Sequence, residues 1–149
     1  MAIGGSVVAA AVPSFLENLH ASRLTEPMDG LARIAVRATA LAASRPARIA
    51  YPDTVGLTPA QVPKGELATD PEGTWDHSTW RLLSFRFDAP HAYSFAFESR
   101  LSEGRAVFFA RAHGDLDGDG NLSTFSVSGE SRDGAEPRVF PVEIQRDVE

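Results

Sequence analysis

The N-terminal stretch of the chain constrains its fold most strongly. It carries no charged side chain from Met1 to Leu16, and further along apolar residues recur at steps of three and four. This spacing places one apolar stripe along a helix. The opposite face is charged, with Asp29 and Arg33 in the i, i+4 order that stabilises a helix. The sequence therefore predicts a helix over residues 1–44, apolar all round at its start and amphipathic further on.

Two prolines set expectations for this helix. Pro46 disfavours helical geometry at Arg45, so the helix is expected to end near Ser44. Pro27 removes a backbone donor from the helix interior, whereas Thr25 can cap a helix that has a proline in its first turn. We therefore expect a kink or a restart of the helix at Pro27.

Length and composition limit the class of protein. The chain has 149 residues, 43% of them apolar and 23% charged, which is typical of one globular domain. A formal net charge of −6 argues against a general nucleic-acid binder. The absence of cysteine excludes disulfides and thiolate metal sites. The charge-free N-terminal run is shorter than the about 20 apolar residues that span a bilayer, and no basic residues precede it as in a secretory signal.

The middle of the chain, residues 45–78, is rich in proline and glycine and reads as a long loop. Within it, the run Thr58–Gln61 matches a capping box with a proline at the first helical position, which predicts a single helical turn. A loop of this length in a compact domain is often functional. Two interpretations stay open, a plain surface loop and a loop that makes functional contacts.

After this loop the apolar period changes to two, which is typical of half-buried strands. Pro141 cannot donate to a ladder, so the last strand is expected at an edge of the sheet. The predicted strands are 80–87 and 93–99 as a hairpin, then 105–112, 122–128 and a short strand over 139–144. The predicted fold class is α+β, one domain in which the long N-terminal helix (1–44) packs against a four- to five-stranded antiparallel sheet (79–149).

The densest group of polar residues is the acidic loop, residues 114–123. Three aspartates alternate along it and Gly120 follows the third, as in the first half of an EF-hand loop. Alternating carboxylates on a tightly turning backbone direct hard oxygen ligands at one metal ion. The Asn121 carbonyl and the Ser123 hydroxyl, directly or through water, can supply further ligands. The candidate metal ligands are Asp115, Asp117, Asp119, Asn121 and Ser123. The expected ion is a structural calcium (Ca2+) that fixes the loop between two strands.

The acidic loop also departs from the EF-hand pattern. Ser126 stands where an EF-hand has its bidentate glutamate, and strands are predicted on both sides. Glu103, Glu130 and Asp133 are candidates to supply the missing carboxylate. The alternative interpretation is an Asp-Gly turn with solvated carboxylates. We favour a bound cation because three crowded carboxylates repel one another without one.

Catalytic patterns are absent from the sequence. The four histidines, His20, His77, His91 and His113, show no zinc-ligand spacing, and there is no G-x-S-x-G elbow. A glycine-rich stretch at Gly118–Ser123 leads into a predicted strand rather than a helix, unlike a dinucleotide fingerprint. His113 beside the acidic loop is interpreted as a surface or sheet-edge residue. The chain is therefore predicted not to be an enzyme.

The segment AAAVPSFLENLHASRLTEPMDGLARIA resembles the N-terminal helix of type IV pilins and the related pseudopilins. The positions that match are Pro13, Ser14, Phe15, Thr25, Glu26, Leu31 and Ile34. The W…L-x-F…Y-S-F run from Trp80 to Phe97 also resembles the sheet of this group. The family's basic leader, its Gly-Phe cleavage junction and the glutamate that follows are not in the chain, and Pro27 is a second departure. We therefore expect that the chain begins partway along the family's membrane-inserted half-helix.

The resemblance implies a pilin fold and a structural subunit of a type IV pilus-like filament. It implies a homo-oligomer, or assembly with related pilins, at the bacterial cell surface, reached through the inner membrane and without nucleic acid as a partner. It also supports a calcium site among the C-terminal loops by analogy. The residues expected to pack between subunits are Val7, Val8, Val12, Pro13, Phe15, Leu16 and Leu19. The alternatives are a type II secretion pseudopilin and a soluble calcium-binding adhesion module that does not polymerise.

Overall fold

A computed structural model describes residues 11–145, and within its first helix the side chains from Leu24 onward. The elements, in chain order, are helix α1 (Ala11–Ala43), a 3-10 turn (Ala47–Ile49), strand β1 (Val55–Thr58), helix α2 (Ser78–Leu82), and strands β2 (Tyr93–Ser102), β3 (Arg105–Gly114), β4 (Ser123–Arg132), β5 (Arg138–Val139) and β6 (Glu143–Gln145).

The fold is α+β, with α1 packed against one antiparallel six-stranded sheet. The strand order is β1-β2-β3-β4-β5, and β6 pairs with another part of β4. The three long strands form a meander without register breaks, from Tyr93 opposite Gly114 to Arg105 opposite Arg132. The predicted class is confirmed, and the observed strand count exceeds the predicted four to five.

The core lies between α1 and one face of the sheet. Residues of β3 alternate strictly between buried and half-buried, as a strand with one covered face requires. Gly30 allows the helix to approach closely, because a Cβ atom there would lie 2.6 Å from the ring of Phe95. The helix contributes the buried side chains Leu31, Ile34, Ala35, Ala38 and Ala42. The core continues into an aromatic cluster that includes Trp75 of the 45–78 segment, and its members are Trp75, Trp80, Phe85, Phe87 and Phe95.

The structure corrects the expected restart of the helix at Pro27. Helix α1 continues through this residue without a restart and ends at Ala43, close to the predicted end. Pro27 is buried, and its neighbours Glu26 and Gly30 both contact the sheet. This packing offsets the backbone hydrogen bond that a proline removes. The predicted helix over residues 1–10 falls outside the described residues.

Thr58–Gln61 does not form the predicted helical turn. Thr58 ends strand β1, and the Thr58–Pro59 peptide bond is cis. The Thr58 hydroxyl accepts a hydrogen bond from the indole N–H of Trp80 (3.0 Å) and donates to the carbonyl of Gly56 (2.9 Å). These two contacts engage the side chain that the capping box would have used.

The predicted strand over 80–87 and its hairpin with 93–99 are also wrong. Residues Ser78–Leu82 form helix α2 instead, and β2 pairs on that side with β1, Val55 lying opposite Phe97. His77 caps α2, since its Nδ1 accepts a hydrogen bond from the Thr79 backbone N–H (3.1 Å). Trp80 and Leu83, which the alternating pattern assigned to a strand, are buried three residues apart, a spacing that also fits one helical turn.

The C-terminal edge strand is divided in two. β5 and β6 lie on either side of Pro141, and both pair with β4. The expectation that Pro141 belongs at an edge of the sheet is confirmed. Among residues 11–145, no helix combines the length and apolar character that a membrane span needs.

Candidate functional site

The acidic loop connects β3 to β4, at the end of the sheet where β2 begins. One carboxylate oxygen from each of Asp115, Asp117 and Asp119 lies within 4.8 Å of the other two. Gly118 and Gly120 both have positive φ, +73° and +88°, which the tight turns of the loop require. The structure therefore brings together the three aspartates predicted from the sequence.

Asp115 differs from the other two aspartates in its burial. It is 1% exposed, whereas Asp117 and Asp119 lie at the surface. Its Oδ2 accepts a hydrogen bond from the Gly120 backbone N–H (3.0 Å), but its Oδ1 is buried and has no hydrogen-bond partner among the described residues. A buried carboxylate oxygen without a partner is costly, and a bound cation would compensate it. The burial of Asp115 therefore supports a cation site independently of the clustering.

The acidic loop is attached to the 45–78 segment through its backbone. The Asp115 carbonyl accepts hydrogen bonds from the N–H groups of Gly65 (2.8 Å) and Gly118 (3.3 Å). Gly65 has a φ of +68°, and a Cβ atom there would lie 3.5 Å from the Gly118 nitrogen. An ion held by Asp115 would therefore stabilise two loops that lie about 50 residues apart in sequence.

The remaining predicted ligands occupy different environments. Asn121 is exposed, and its side-chain amide donates to Asp119 Oδ2 (3.0 Å). Ser123 is buried and begins β4. The assignment of Asn121 and Ser123 as metal ligands stays a prediction.

None of the three candidates for the missing carboxylate lies near the acidic loop. Glu103 lies in the turn at the opposite end of β3, about 30 Å away for a strand of ten residues. Glu130 contacts Arg105 (3.4 Å) at that same far end, and Asp133 Oδ1 accepts from the Ala47 N–H (2.8 Å). These predictions are wrong, because antiparallel pairing places the three acids at the end of the sheet opposite the loop.

His113 lies on the central strand β3 rather than at a sheet edge. Its Nδ1 contacts the Thr124 hydroxyl across the strand pair at 2.9 Å. Burial, followed by the nearby charge of Arg111, lowers the pKa of His113. A half-buried imidazole held by a cross-strand hydrogen bond fits a structural role.

Sequence reasoning missed a second polar group, which is centred on His91. This residue is 1% exposed, and its ring stacks on Phe87 with 4.4 Å between ring centroids. His91 Nδ1 lies 2.8 Å from the Tyr93 carbonyl, which can only accept, so Nδ1 is a donor. Nε2 lies 2.7 Å from Asp70 Oδ2, which also accepts from the Trp75 indole N–H (2.7 Å). Both ring nitrogens are engaged, and this histidine is placed to hold the 45–78 segment against β2 rather than to transfer protons to a substrate.

Glu26 extends this group to helix α1. Its carboxylate accepts hydrogen bonds from the backbone N–H groups of Ala92 (3.0 Å) and Tyr93 (2.7 Å). Burial raises the pKa of Glu26, and the hydrogen bonds from the two backbone amides lower it by less. One of its oxygens also lies 4.0 Å from His91 Nδ1. The Glu26–His91–Asp70 network therefore connects α1, the start of β2 and the 45–78 segment.

No short sequence pattern predicts this network, because its three members lie on segments far apart in sequence. The residues predicted to pack between subunits are not tested by the structure. Val7 and Val8 lie outside the described residues. Five others lie on the described backbone of α1 but without described side chains, and these are Val12, Pro13, Phe15, Leu16 and Leu19.

Comparison of the chain with models of protein families, with curated proteins and with solved structures finds no match.

Proposed function

We propose that the chain is a structural subunit of a type IV pilus-like filament on the bacterial cell surface, reached through the inner membrane. The observation that carries this proposal is the length of α1, whose described buried side chains all lie in its second half. The helix runs for 33 residues, about 50 Å. Among its described side chains, the buried ones begin at Pro27 and end at Ala42. The preceding part, Ala11–Glu26, adds about 24 Å of helix.

The composition of that preceding part supports assembly by burial. From Met1 to Leu16 there is no charged side chain, and a helix that is apolar on all sides needs cover on all sides. Neighbouring copies of the chain can supply this cover, with the residues from Val7 to Leu19 named above at the contacts. Full burial of one aliphatic side chain contributes roughly 1.5–3 kcal/mol, so a few contacts per subunit, repeated in a helical array, suffice to hold a filament together.

Within this proposal, the acidic loop is a calcium site with a structural role. The support comes from the three clustered aspartates and from the unpartnered, buried Oδ1 of Asp115. A divalent cation would neutralise the cluster and, through Asp115 and Gly65, hold two surface loops together. No chemistry on a substrate is assigned to it.

The filament proposal is tested with the full chain and two matched variants. Leu16→Glu places a charge on the apolar part of α1, whereas Glu17→Gln changes the adjacent polar residue. We expect the wild type and Glu17→Gln to sediment as filaments that electron microscopy resolves, and Leu16→Glu to remain in the supernatant. A wild-type chain that stays monomeric at all concentrations would contradict the proposal and favour a soluble calcium-binding adhesion module.

The calcium proposal is tested by thermal unfolding in calcium and in chelator. For a dissociation constant in the weak range of about 10⁻⁴–10⁻³ M, calcium at about 10 mM stabilises the fold by about 1.4–2.7 kcal/mol. For a chain of this size we expect the melting temperature to rise by about 3–10 °C. Asp115→Asn should lose most of this rise, and Asp88→Asn, at an exposed ion pair with Arg86, should keep it. An unchanged wild-type midpoint would refute the site.

A further inference from the structure

An apolar groove of about 510 Å³ lies between α1 and the β5–β6 edge of the sheet. Its helical wall includes Ala32, Val36 and Thr39, and its other wall includes Val139, Phe140 and Val142. Val36 is 72% exposed and Val139 is 44% exposed, so the groove presents a branched apolar side chain to solvent on each wall. Among the residues that the structure describes, no charged one lines the groove.

A second hollow, on the other side of Val36, is positively charged. The hollow there is lined by Arg33 and Arg37. The Arg33 guanidinium lies 5.0 Å from the centre of the Phe85 ring, and Arg37 Nε donates to the Leu82 carbonyl (3.0 Å). Two fixed positive charges make that hollow unsuitable for a purely apolar occupant. An apolar segment that packs on Val36 would therefore lie on the β5–β6 side.

The chain itself contains a segment of matching chemistry. Residues 1–10 carry no charged side chain and include Ile3, Val7 and Val8. This segment cannot reach Val36 of its own molecule. From Ala11 to Val36 the helix rises about 38 Å, whereas ten fully extended residues span at most about 33–36 Å.

We propose that this groove receives residues 1–10 of a second copy of the chain. The proposal rests on the proposed filament function and specifies which surface of the folded domain covers the apolar segment of a neighbour. Three observations favour an occupant from another copy of the chain. These are the apolar lining, the exposure of Val36 and Val139, and a segment too short to reach Val36 of its own molecule. Each subunit would then donate its apolar segment and accept another, which is a head-to-tail contact that propagates.

Cross-linking tests the proposal directly, because the chain has no cysteine. Subunits with Ile3→Cys or Val8→Cys are mixed with isotopically labelled Val36→Cys subunits, allowed to assemble and oxidised mildly. We expect a disulfide between unlabelled and labelled copies for at least one of the two positions. In the matched control, the labelled subunits carry Leu101→Cys instead of Val36→Cys. Leu101 is 56% exposed and lies away from the groove, so no disulfide between unlabelled and labelled copies should form.

The outcomes separate this inference from the proposed function. Filaments that form without any cross-link to Val36 would overturn the groove assignment and leave the filament function standing. A disulfide that forms only between two Val36→Cys subunits would overturn it too, in favour of pairing between identical helix faces. Absence of both filaments and cross-links would overturn both proposals.

A second measurement does not depend on disulfide geometry. Val36→Asp should raise the concentration needed for assembly by about tenfold or more, while Leu101→Asp should not. Circular dichroism of the two dilute variants checks that each retains the wild-type fold. Equal assembly of Val36→Asp and the wild type would refute the proposal.

Discussion

Replacement of Glu26 by alanine tests how helix α1 is joined to the sheet. The Glu26 carboxylate accepts the backbone N–H groups of Ala92 and Tyr93 at 3.0 and 2.7 Å. Glu26 directly precedes Pro27, the first buried residue among the described side chains of α1, and its own side chain is 19% exposed. Alanine removes both hydrogen bonds and leaves the helix backbone intact, since alanine is the best helix former.

The size of the effect follows from these contacts. A hydrogen bond to a charged acceptor contributes about 1.5–3 kcal/mol, and the partial exposure of the carboxylate allows water to replace part of this. We therefore expect Glu26→Ala to lower the free energy of unfolding by about 2–4 kcal/mol. Urea unfolding followed by circular dichroism measures this loss, and amide hydrogen exchange locates it.

The matched control is Asp29→Ala, an exposed acid one turn further along the same helix. It should change stability by less than about 0.5 kcal/mol. In Glu26→Ala, exchange of the Ala92 and Tyr93 amides should accelerate more than exchange in β3. If Glu26→Ala is as stable as Asp29→Ala, the reasoning from these two hydrogen bonds is refuted.

Two further predictions concern pH and packing. The raised pKa of Glu26 means that the folded chain binds more protons than the unfolded chain just above pH 4.5, so stability should fall as pH rises through the folded pKa. Glu26→Gln should lack this fall when urea midpoints are compared between about pH 4 and 7, and an identical pH profile would count against burial as the cause. Gly114→Ala should lower the free energy of unfolding by about 1–3 kcal/mol, because its Cβ would lie 2.5 Å from the Tyr93 ring. Gly56→Ala has open space around it and should not lower this free energy. Equal thermal midpoints for the two variants would contradict the prediction.

The elements that the sequence predicted well have long, unambiguous periods. Strands β3 and β4 alternate between buried and less buried residues along their length, and the amphipathic half of α1 keeps its spacing through Ala42. The acidic loop was recognised because its three aspartates are local in sequence. Short-range patterns of this kind need no knowledge of tertiary contacts.

The failures concern segments whose structure depends on distant partners. The residues around Trp80 fit both a strand and a helical turn, and the His77 cap and the bond from Thr79 to the Asp53 carbonyl select the helix. Strand β1 has four residues with a glycine inside, and its pairing with β2 defines it. The buried His91 group could not be found, since Asp70 and Glu26 reach it only in the folded chain.

The shape of the sheet's two margins has a consequence for any assembly of this protein. One margin is the four-residue β1, and the other is broken into β5 and β6 by Pro141. Within residues 11–145, neither margin offers a long row of free backbone groups onto which a strand from another molecule could be added. Lateral growth by strand addition, the route to amyloid-like aggregates, is thereby disfavoured, and any association of the described domain would depend on side-chain packing.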